Sequence, residues 1–397
     1  MAIEFEFTAD QEAFRSAVRA FVAKEVAPVV PEMDEKEEFP QASIRRMQEE
    51  GYFGIPVPEE YGGLGLGKVG YCLFLEELAK VDASHGTIVG AHTSLGTTPL
   101  LYYGTEEQKQ RWLVPAAKGE KLLAFSLTEP GSGSDSGALR TVAEKDGEDW
   151  VITGNKIYVT NGREANTVVL LAANDLKLGP NGGVTAFLID AGLSGFSVGR
   201  CEKKMGIHGS STAELILDHV RVGPNHILGE VGKGFHVAMT ALDVGRVSLG
   251  AGSLGGMEAA CAQAIEFAKN RTQFGLPISE YEAIQFKLAD MAMRVHALRL
   301  MVYQAAQRQD RMGTDPKAWT RLQRVEKSRE AAIVKCLGSE WAGEVIDEAL
   351  QIHGGLGYIR GTPIERAYRD TRISEIYEGT NEIQRLVIAR DLLTRGL

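Results

Sequence analysis

One short run near the C-terminus gathers a carboxylate, an aromatic ring, a glycine and two residue types that cap helices: Ile376-Tyr377-Glu378-Gly379-Thr380-Asn381-Glu382. Gly379 frees the backbone, and Thr380 or Asn381 is a suitable N-cap for the apolar-periodic stretch that carries Ile383, Leu386, Val387 and Ala389. Glu378 therefore falls at a hinge between two helical patterns. A glutamate partly withdrawn from water has a raised pKa and becomes a usable base near neutral pH. The competing reading is an ordinary solvated loop glutamate, and this segment alone leaves both open.

Other segments carry polar or aromatic groups in settings that suit a ligand. Phe125-Ser126-Leu127-Thr128-Glu129-Pro130-Gly131-Ser132-Gly133-Ser134-Asp135 leaves a β-run for a loop of small residues, where backbone N–H groups and hydroxyls approach a flat or anionic ligand. It lacks the G-x-x-x-x-G-K-[ST] pattern of a P-loop. Lys156-Ile157-Tyr158-Val159-Thr160-Asn161-Gly162 places a ring two residues before a hydroxyl, a pairing suited to a ring system with a heteroatom. Turn chemistry accounts equally well for either. Arg271-Thr272-Gln273-Phe274-Gly275 ends a helical pattern with a cation and an aromatic, suited to a diphosphate and a ring. Gln351-Ile352-His353-Gly354-Gly355-Leu356-Gly357-Tyr358 ends another, with glycines that read equally as a C-cap. In Leu242-Asp243-Val244-Gly245-Arg246 the acid and the cation lie three apart on one helical face, as a local ion pair also would.

The elements that position these groups change character twice along the 397 residues. Residues 1–120 are helical in pattern, with helices over 69–81, 84–103 and 105–118. Residues 121–233 carry short β-rich runs at 122–127, 150–159, 167–172, 184–189 and 214–217, punctuated by Asp146-Gly147, Asn161-Gly162 and Asn181-Gly182-Gly183. No long helix separates them, which favours an antiparallel sheet or barrel over a parallel βαβ sheet. Residues 234–397 return to long helices, at 237–267, 284–311, 319–353 and 371–393, the content of a four-helix bundle. The fold class is therefore α+β: an N-terminal helical domain, a middle antiparallel β-domain and a C-terminal bundle, with ligand sites expected at the junctions.

Composition narrows the function. The net charge of −10 leaves no basic excess to neutralise phosphates, against nucleic acid as the main partner. Cys72, Cys201, Cys261 and Cys336 are scattered and form no C-x-x-C pair, so neither a disulfide framework nor a thiolate metal site is expected, and a reducing cytoplasm is the natural setting. The histidines, among them His208, His219, His226 and His236, form no H-E-x-x-H and read as surface or loop residues. The acidic opening, Met1 to Phe7, has no signal-peptide pattern, and no apolar run is long enough to insert in a membrane.

Taken together and in order, T-E-P-G-S-G-S-D, Y-V-T-N-G, L-D-V-G-R, R-T-Q-F-G, Q-I-H-G-G-L-G-Y and I-Y-E-G-T-N-E-I-Q-R-L make the chain resemble the acyl-CoA dehydrogenase family over nearly its whole length. Its closing stretch looks most like the short-chain, butyryl-CoA branch. The resemblance implies FAD between the β-domain and the bundle, with a second subunit completing the site in a homotetramer. It puts Phe125, Leu127 and Thr128 along the flavin, Gly133 and Ser134 against cofactor and substrate, and Tyr158 and Thr160 at the isoalloxazine ring. Arg271, Phe274, Gln351, Gly354 and Gly355 would reach the cofactor from the neighbouring subunit, and Thr380 and Glu382 would complete its binding. Asp243 and Arg246 would face the acyl-CoA, with Gly379 beside them. Glu378 would take the α-proton while hydride passes from the β-carbon to flavin nitrogen 5, and its backbone N–H would polarise the thioester carbonyl. Electrons would then pass to an electron-transferring flavoprotein. Two residues depart from the family pattern: Tyr158 stands where tryptophan is common and Glu282 where glutamine is common. A flavin oxidase and a catalytically silent acyl-CoA-binding protein are the alternatives on the same scaffold. Acyl specificity would be set by the packing of residues 84–98 and 243–253.

Overall fold

A computed structural model describes residues 6–396; most of the opening stretch read above for a signal pattern lies outside them. The first helical region runs through α1 (Ala9–Phe21), α2 (Val30–Lys36), α3 (Gln41–Glu49), α4 (Gly67–Ala79) and α5 (Ala83–Gly90). A wider π-turn over Ala91–Thr97 leads into α6 (Thr98–Tyr103), followed by the short α7 (Glu106–Gln108) and α8 (Val114–Ala117). Thr8 opens α1 with a reciprocal capping box to Gln11, and Asp82 caps α5 through the His85 N–H.

The middle region holds β1 (Leu123–Ser126), β2 (Val142–Asp146), β3 (Asp149–Thr160), β4 (Thr167–Ala173), β5 (Val184–Asp190), β6 (Phe196–Cys201), β7 (Thr212–Val222) and β8 (Ile227–Leu228). They form one eight-stranded sheet ordered β6-β7-β3-β2-β4-β5-β8, with β1 beside β4. The pairing is antiparallel except where β1 and the first residue of β2 run parallel to β4. β4 is buried along its whole length, because one face packs on helices and the other on the β3–β7 ribbon. β2 and β6 are short and largely exposed, and the sequence pattern did not mark them.

The last region comprises α9 (Gly234–Asn270), α10 (Glu282–Met312), α11 (Arg321–His353), α12 (Pro363–Thr371) and α13 (Asn381–Arg395). A small hairpin, β9 (Thr272–Gln273) and β10 (Leu276–Pro277), joins α9 to α10. α9, α10 and α11 pack on one another, and α13 lies along α11. α4 packs into the same group, so the first and last helical regions share one apolar core that includes Phe74, Leu254, Leu298 and Val345. The helix expected over 371–393 is not continuous: it is broken at 376–380, and Glu378 sits in the break.

Candidate active site

The break between α12 and α13 is held by side chains from three helices. Thr380 caps α13, its hydroxyl accepting the Ile383 N–H at 3.5 Å. Asn381 is buried, and its Oδ1 accepts hydrogen bonds from Lys335 Nζ at 2.7 Å and Ser339 Oγ at 3.1 Å, both on α11. Gln384 Nε2 donates to the carbonyls of Glu378 (3.2 Å) and Gly379 (2.8 Å), and Arg246 Nε of α9 donates to the Glu378 carbonyl at 3.3 Å. With both carbonyls committed, the chain turns through left-handed conformations, φ +55° at Glu378 and +90° at Gly379. A glutamate seldom adopts that backbone, and such residues concentrate at functional sites. Among the described residues no acceptor takes the Glu378 backbone N–H.

The carboxylate of Glu378 is placed against α9. Its Oε2 is withdrawn from solvent and has no hydrogen-bond partner. It fits because residue 245 is glycine: a Cβ there would lie 2.4 Å from Oε2. Burial pushes the Glu378 carboxyl up to about 7, against the opposing pull of Arg246 and Lys335. Burial in turn lowers Lys335 to about 8, with Glu378 acting the other way. Arg246 is itself buried and bridged to Asp243 at 3.0 Å, and Asp243 also accepts from Ser328 Oγ at 3.0 Å. This is a buried, shared pair rather than a solvated pair on a helix surface.

Glu378 opens onto a cavity of about 1370 Å³. Single small-molecule sites usually occupy roughly 300–1,000 Å³, so there is room here for two ligands side by side. One wall is the sheet and its loop: Phe125, Leu127, Thr128, Gly133, Ser134, Tyr158 and Thr160. The opposite wall carries Arg246, Glu378, Gly379 and Thr380. Tyr158 is 62% exposed at φ +57°, a ring held out on the cavity wall. A Cβ added at Gly133 would meet no heavy atom within 4 Å, so that loop is open on its ligand side. An exposed ring, apolar side chains and hydroxyls on one wall fit a planar heteroaromatic cofactor such as FAD.

The loop of that wall is fixed by Glu129. Its carboxylate accepts Lys156 Nζ at 2.7 Å, the Arg140 N–H at 2.6 Å and the Thr141 N–H at 3.1 Å, and Lys156 also donates to the Leu127 carbonyl at 3.0 Å. Neither partner of this pair was singled out from sequence, although both lie in segments that were. Gly245, Lys335 and Gln384 were likewise passed over; the available signal was a glycine in the interior of a helical pattern, at Gly245.

Seven residues singled out from sequence do not line this cavity. Asp243 does not line it and reaches the site through two residues that do, Arg246 and Ser328. Glu382 is exposed on the first turn of α13. Arg271, Phe274, Gln351, Gly354 and Gly355 are exposed on other surfaces of the chain, Phe274 to 96%. Glu282 is exposed at the start of α10, also outside the cavity. His208 and His226 are buried rather than on the surface, each bonded to backbone carbonyls. Among the described residues no cluster of three or more His, Cys, Asp or Glu could hold a metal, and no helix is long and apolar enough to cross a membrane.

Three family models cover most of the chain. The acyl-CoA dehydrogenase N-terminal domain matches residues 8–120, the middle domain 124–220 and the C-terminal domain 232–393. An acyl-CoA dehydrogenase of Bacillus subtilis is 43% identical over 97% of this chain and 98% of its own length. The butyryl-CoA dehydrogenase of Megasphaera elsdenii superposes with a TM-score of 0.93 at 40% identity, over 98% of this chain and all of that one. A Bacillus anthracis acyl-CoA dehydrogenase complexed with FAD superposes with a TM-score of 0.91 at 36% identity, over 99% of this chain and 70% of that one.

Proposed function

The chain belongs to the acyl-CoA dehydrogenase family, and we propose that Glu378 is the base with which it desaturates an acyl-CoA thioester to the trans-2-enoyl product. The observation that carries this reading is the buried, unpartnered Oε2 of Glu378, whose carboxyl titrates at about 7 on the wall of the cavity. A carboxylate in water is too weak a base for a carbon acid, and withdrawal from solvent raises its affinity for the proton.

FAD is the cofactor, and when bound it supplies the acceptor for the hydride that leaves the β-carbon. Phe125, Leu127, Thr128, Tyr158 and Thr160 would hold its ring system, with Gly133, Ser134 and Thr380 at the edges. Glu378 Oε2 takes the α-proton. The free Glu378 N–H, turned by the left-handed backbone, donates to the thioester carbonyl and stabilises the enolate character that develops there. Gly379, whose φ of +90° and contact with Gln384 exclude a side chain, would lie beside the thioester next to that N–H. Arg246, held by Asp243, fixes the Glu378 carbonyl and so the direction of the N–H on the same residue. Asp243 is in this scheme a positioning residue.

Arg271, Phe274, Gln351, Gly354 and Gly355 would meet the cofactor of a second subunit, and Glu382 would act with Thr380. Self-association is supported by α10, which exposes Phe286, Met293 and Leu300 at seven-residue spacing, an apolar stripe with no partner within the chain's own core. A homotetramer and an electron-transferring flavoprotein as acceptor complete the proposal.

Anaerobic mixing of the FAD-loaded protein with butyryl-CoA tests it. The flavin absorbance should bleach, and Glu378→Gln should bind the thioester without bleaching. Bleaching of that variant at the wild-type rate would remove Glu378 from the role of base.

A further inference from the structure

The turn that carries Glu378 is anchored on its far side by a second buried cation. Lys335 of α11 is withdrawn from solvent, and its Nζ donates to Asn381 Oδ1, on the first residue of α13, at 2.7 Å. Ser339, four residues on and so on the same face of α11, stands 3.1 Å from the same oxygen and accepts from Asn381 Nδ2 at 2.9 Å. The side chain of Asn381 is thereby seated on α11, just past the base.

An anchor does not require a lysine. Ser339 already offers a hydroxyl to Asn381 Oδ1, and a neutral side chain at 335 would avoid the cost of burying an ammonium. Among the described residues, Asn381 Oδ1 is the one hydrogen-bond partner of Lys335 Nζ, and no carboxylate lies within ion-pair distance of it. Arg246, the other buried cation at the turn, is bridged to Asp243 at 3.0 Å. Of the two, Lys335 is therefore the one whose charge no bonded acid offsets.

The charges that meet at the turn come from several elements. Burial drives the Glu378 carboxyl up, while Arg246 of α9 and Lys335 of α11 draw it down. Tyr71 of α4 and the adjacent Tyr377 face it as neutral phenols, both pushed above the usual range by burial. Burial lowers Lys335, and Glu378 leads the charges acting on it, ahead of Cys336, Arg246 and Glu375. Glu382 on α13 also lies within its field. The ammonium acts on Glu378 without bonding to Oε2, which has no partner. It thus favours the ionised carboxylate and leaves free the oxygen that takes the proton.

Resting on the reading of Glu378 as the base, we propose that Lys335 is a positioning residue of the reaction: it seats the turn through Asn381 and is the unbonded counter-charge that keeps Glu378 ionised and ready for the α-proton.

The pH profile of flavin reduction by saturating butyryl-CoA, in the FAD-loaded protein, separates charge from anchor. Lys335→Met nearly keeps the length of the side chain and removes its charge. The midpoint of the acid limb should rise by about one pH unit, so that the rate at pH 6, as a fraction of the plateau, falls about tenfold further than in wild type. Asn381→Ala keeps the ammonium and releases the turn, and it should lower the plateau about threefold with the midpoint in place. An unmoved midpoint in Lys335→Met overturns the role of the charge, because a merely structural lysine would lower the plateau or the FAD content and leave the midpoint where it was. Lys335→Gln, which keeps a donor for Asn381, carries the same expectation if the methionine variant does not hold FAD. A midpoint that moves as far in Asn381→Ala overturns the separation of charge from anchor. An acid limb that survives in Glu378→Gln overturns instead the function on which the role of Lys335 rests.

Discussion

Two glutamates withdrawn from solvent face opposite fates in this molecule. Glu129, in the loop of the sheet wall, accepts a lysine ammonium and two backbone N–H groups, and Lys156 leads the interactions that hold its carboxyl below the usual range despite burial. Glu378, on the helical wall, has an unpartnered oxygen and is pushed up to about 7. Burial alone therefore does not identify a base. What separates the two is whether the surrounding backbone has been spent on satisfying the carboxylate. Around Glu129 the N–H groups point at it; around Glu378 the hydrogen bonds go to its carbonyl, leaving both carboxylate and N–H for a ligand.

Exchanging the two acids for neutral residues should give opposite phenotypes. Glu378→Gln should slow flavin reduction by about 10³-fold, the scale of a lost general base, as read by stopped-flow bleaching. Glu129→Ala should instead act on the fold, because it strands the buried Lys156 ammonium; a loss of about 4 kcal/mol in urea unfolding is expected.

The pH dependence of stability should differ in sign as well. The pKa of Glu378 is raised in the folded chain, so its contribution is present below the ordinary carboxylate range and is lost as pH rises toward 7. Glu378→Gln should accordingly become more stable than wild type over that window, by at most about 3 kcal/mol in the cofactor-free protein. Glu129, with its pKa lowered, contributes stability that is lost as the pH falls. Matched urea titrations from about pH 2.5 to 8 check both signs, the acid end for Glu129 and the neutral end for Glu378. The smallest effect is expected at Gly245→Ala, where the added methyl meets only the flexible end of Glu378. It should slow bleaching about tenfold by displacing the carboxylate, with little change in unfolding.

Much of this was legible in the sequence, for identifiable reasons. The long helices and the β-rich middle follow from periodicity, and Glu378 at a hinge follows from Gly379 and Thr380 beside it. β2 and β6 were not legible because they are short and mostly face water, with Ala143 and Phe196 as their contributions to the sheet's apolar core. The Glu129–Lys156 pair was hidden because its members are 27 residues apart and meet only through the turn from loop to strand. Asp243 and Arg246 were visible as a pair, but spacing along one helix cannot tell a solvated pair from one buried under α11. The seven residues outside the cavity mark a similar limit: a motif records which residues occur together, not which of them the fold of one chain brings to a single site.

The most direct test of Glu378 as the base is the pH profile of flavin reduction by a saturating acyl-CoA, measured from pH 5.5 to 9. The rate should fall tenfold per unit below an apparent pKa near 7 and level off above it, and Glu378→Gln should abolish that limb. A profile flat across that range, or one whose acid limb survives in Glu378→Gln, would contradict it.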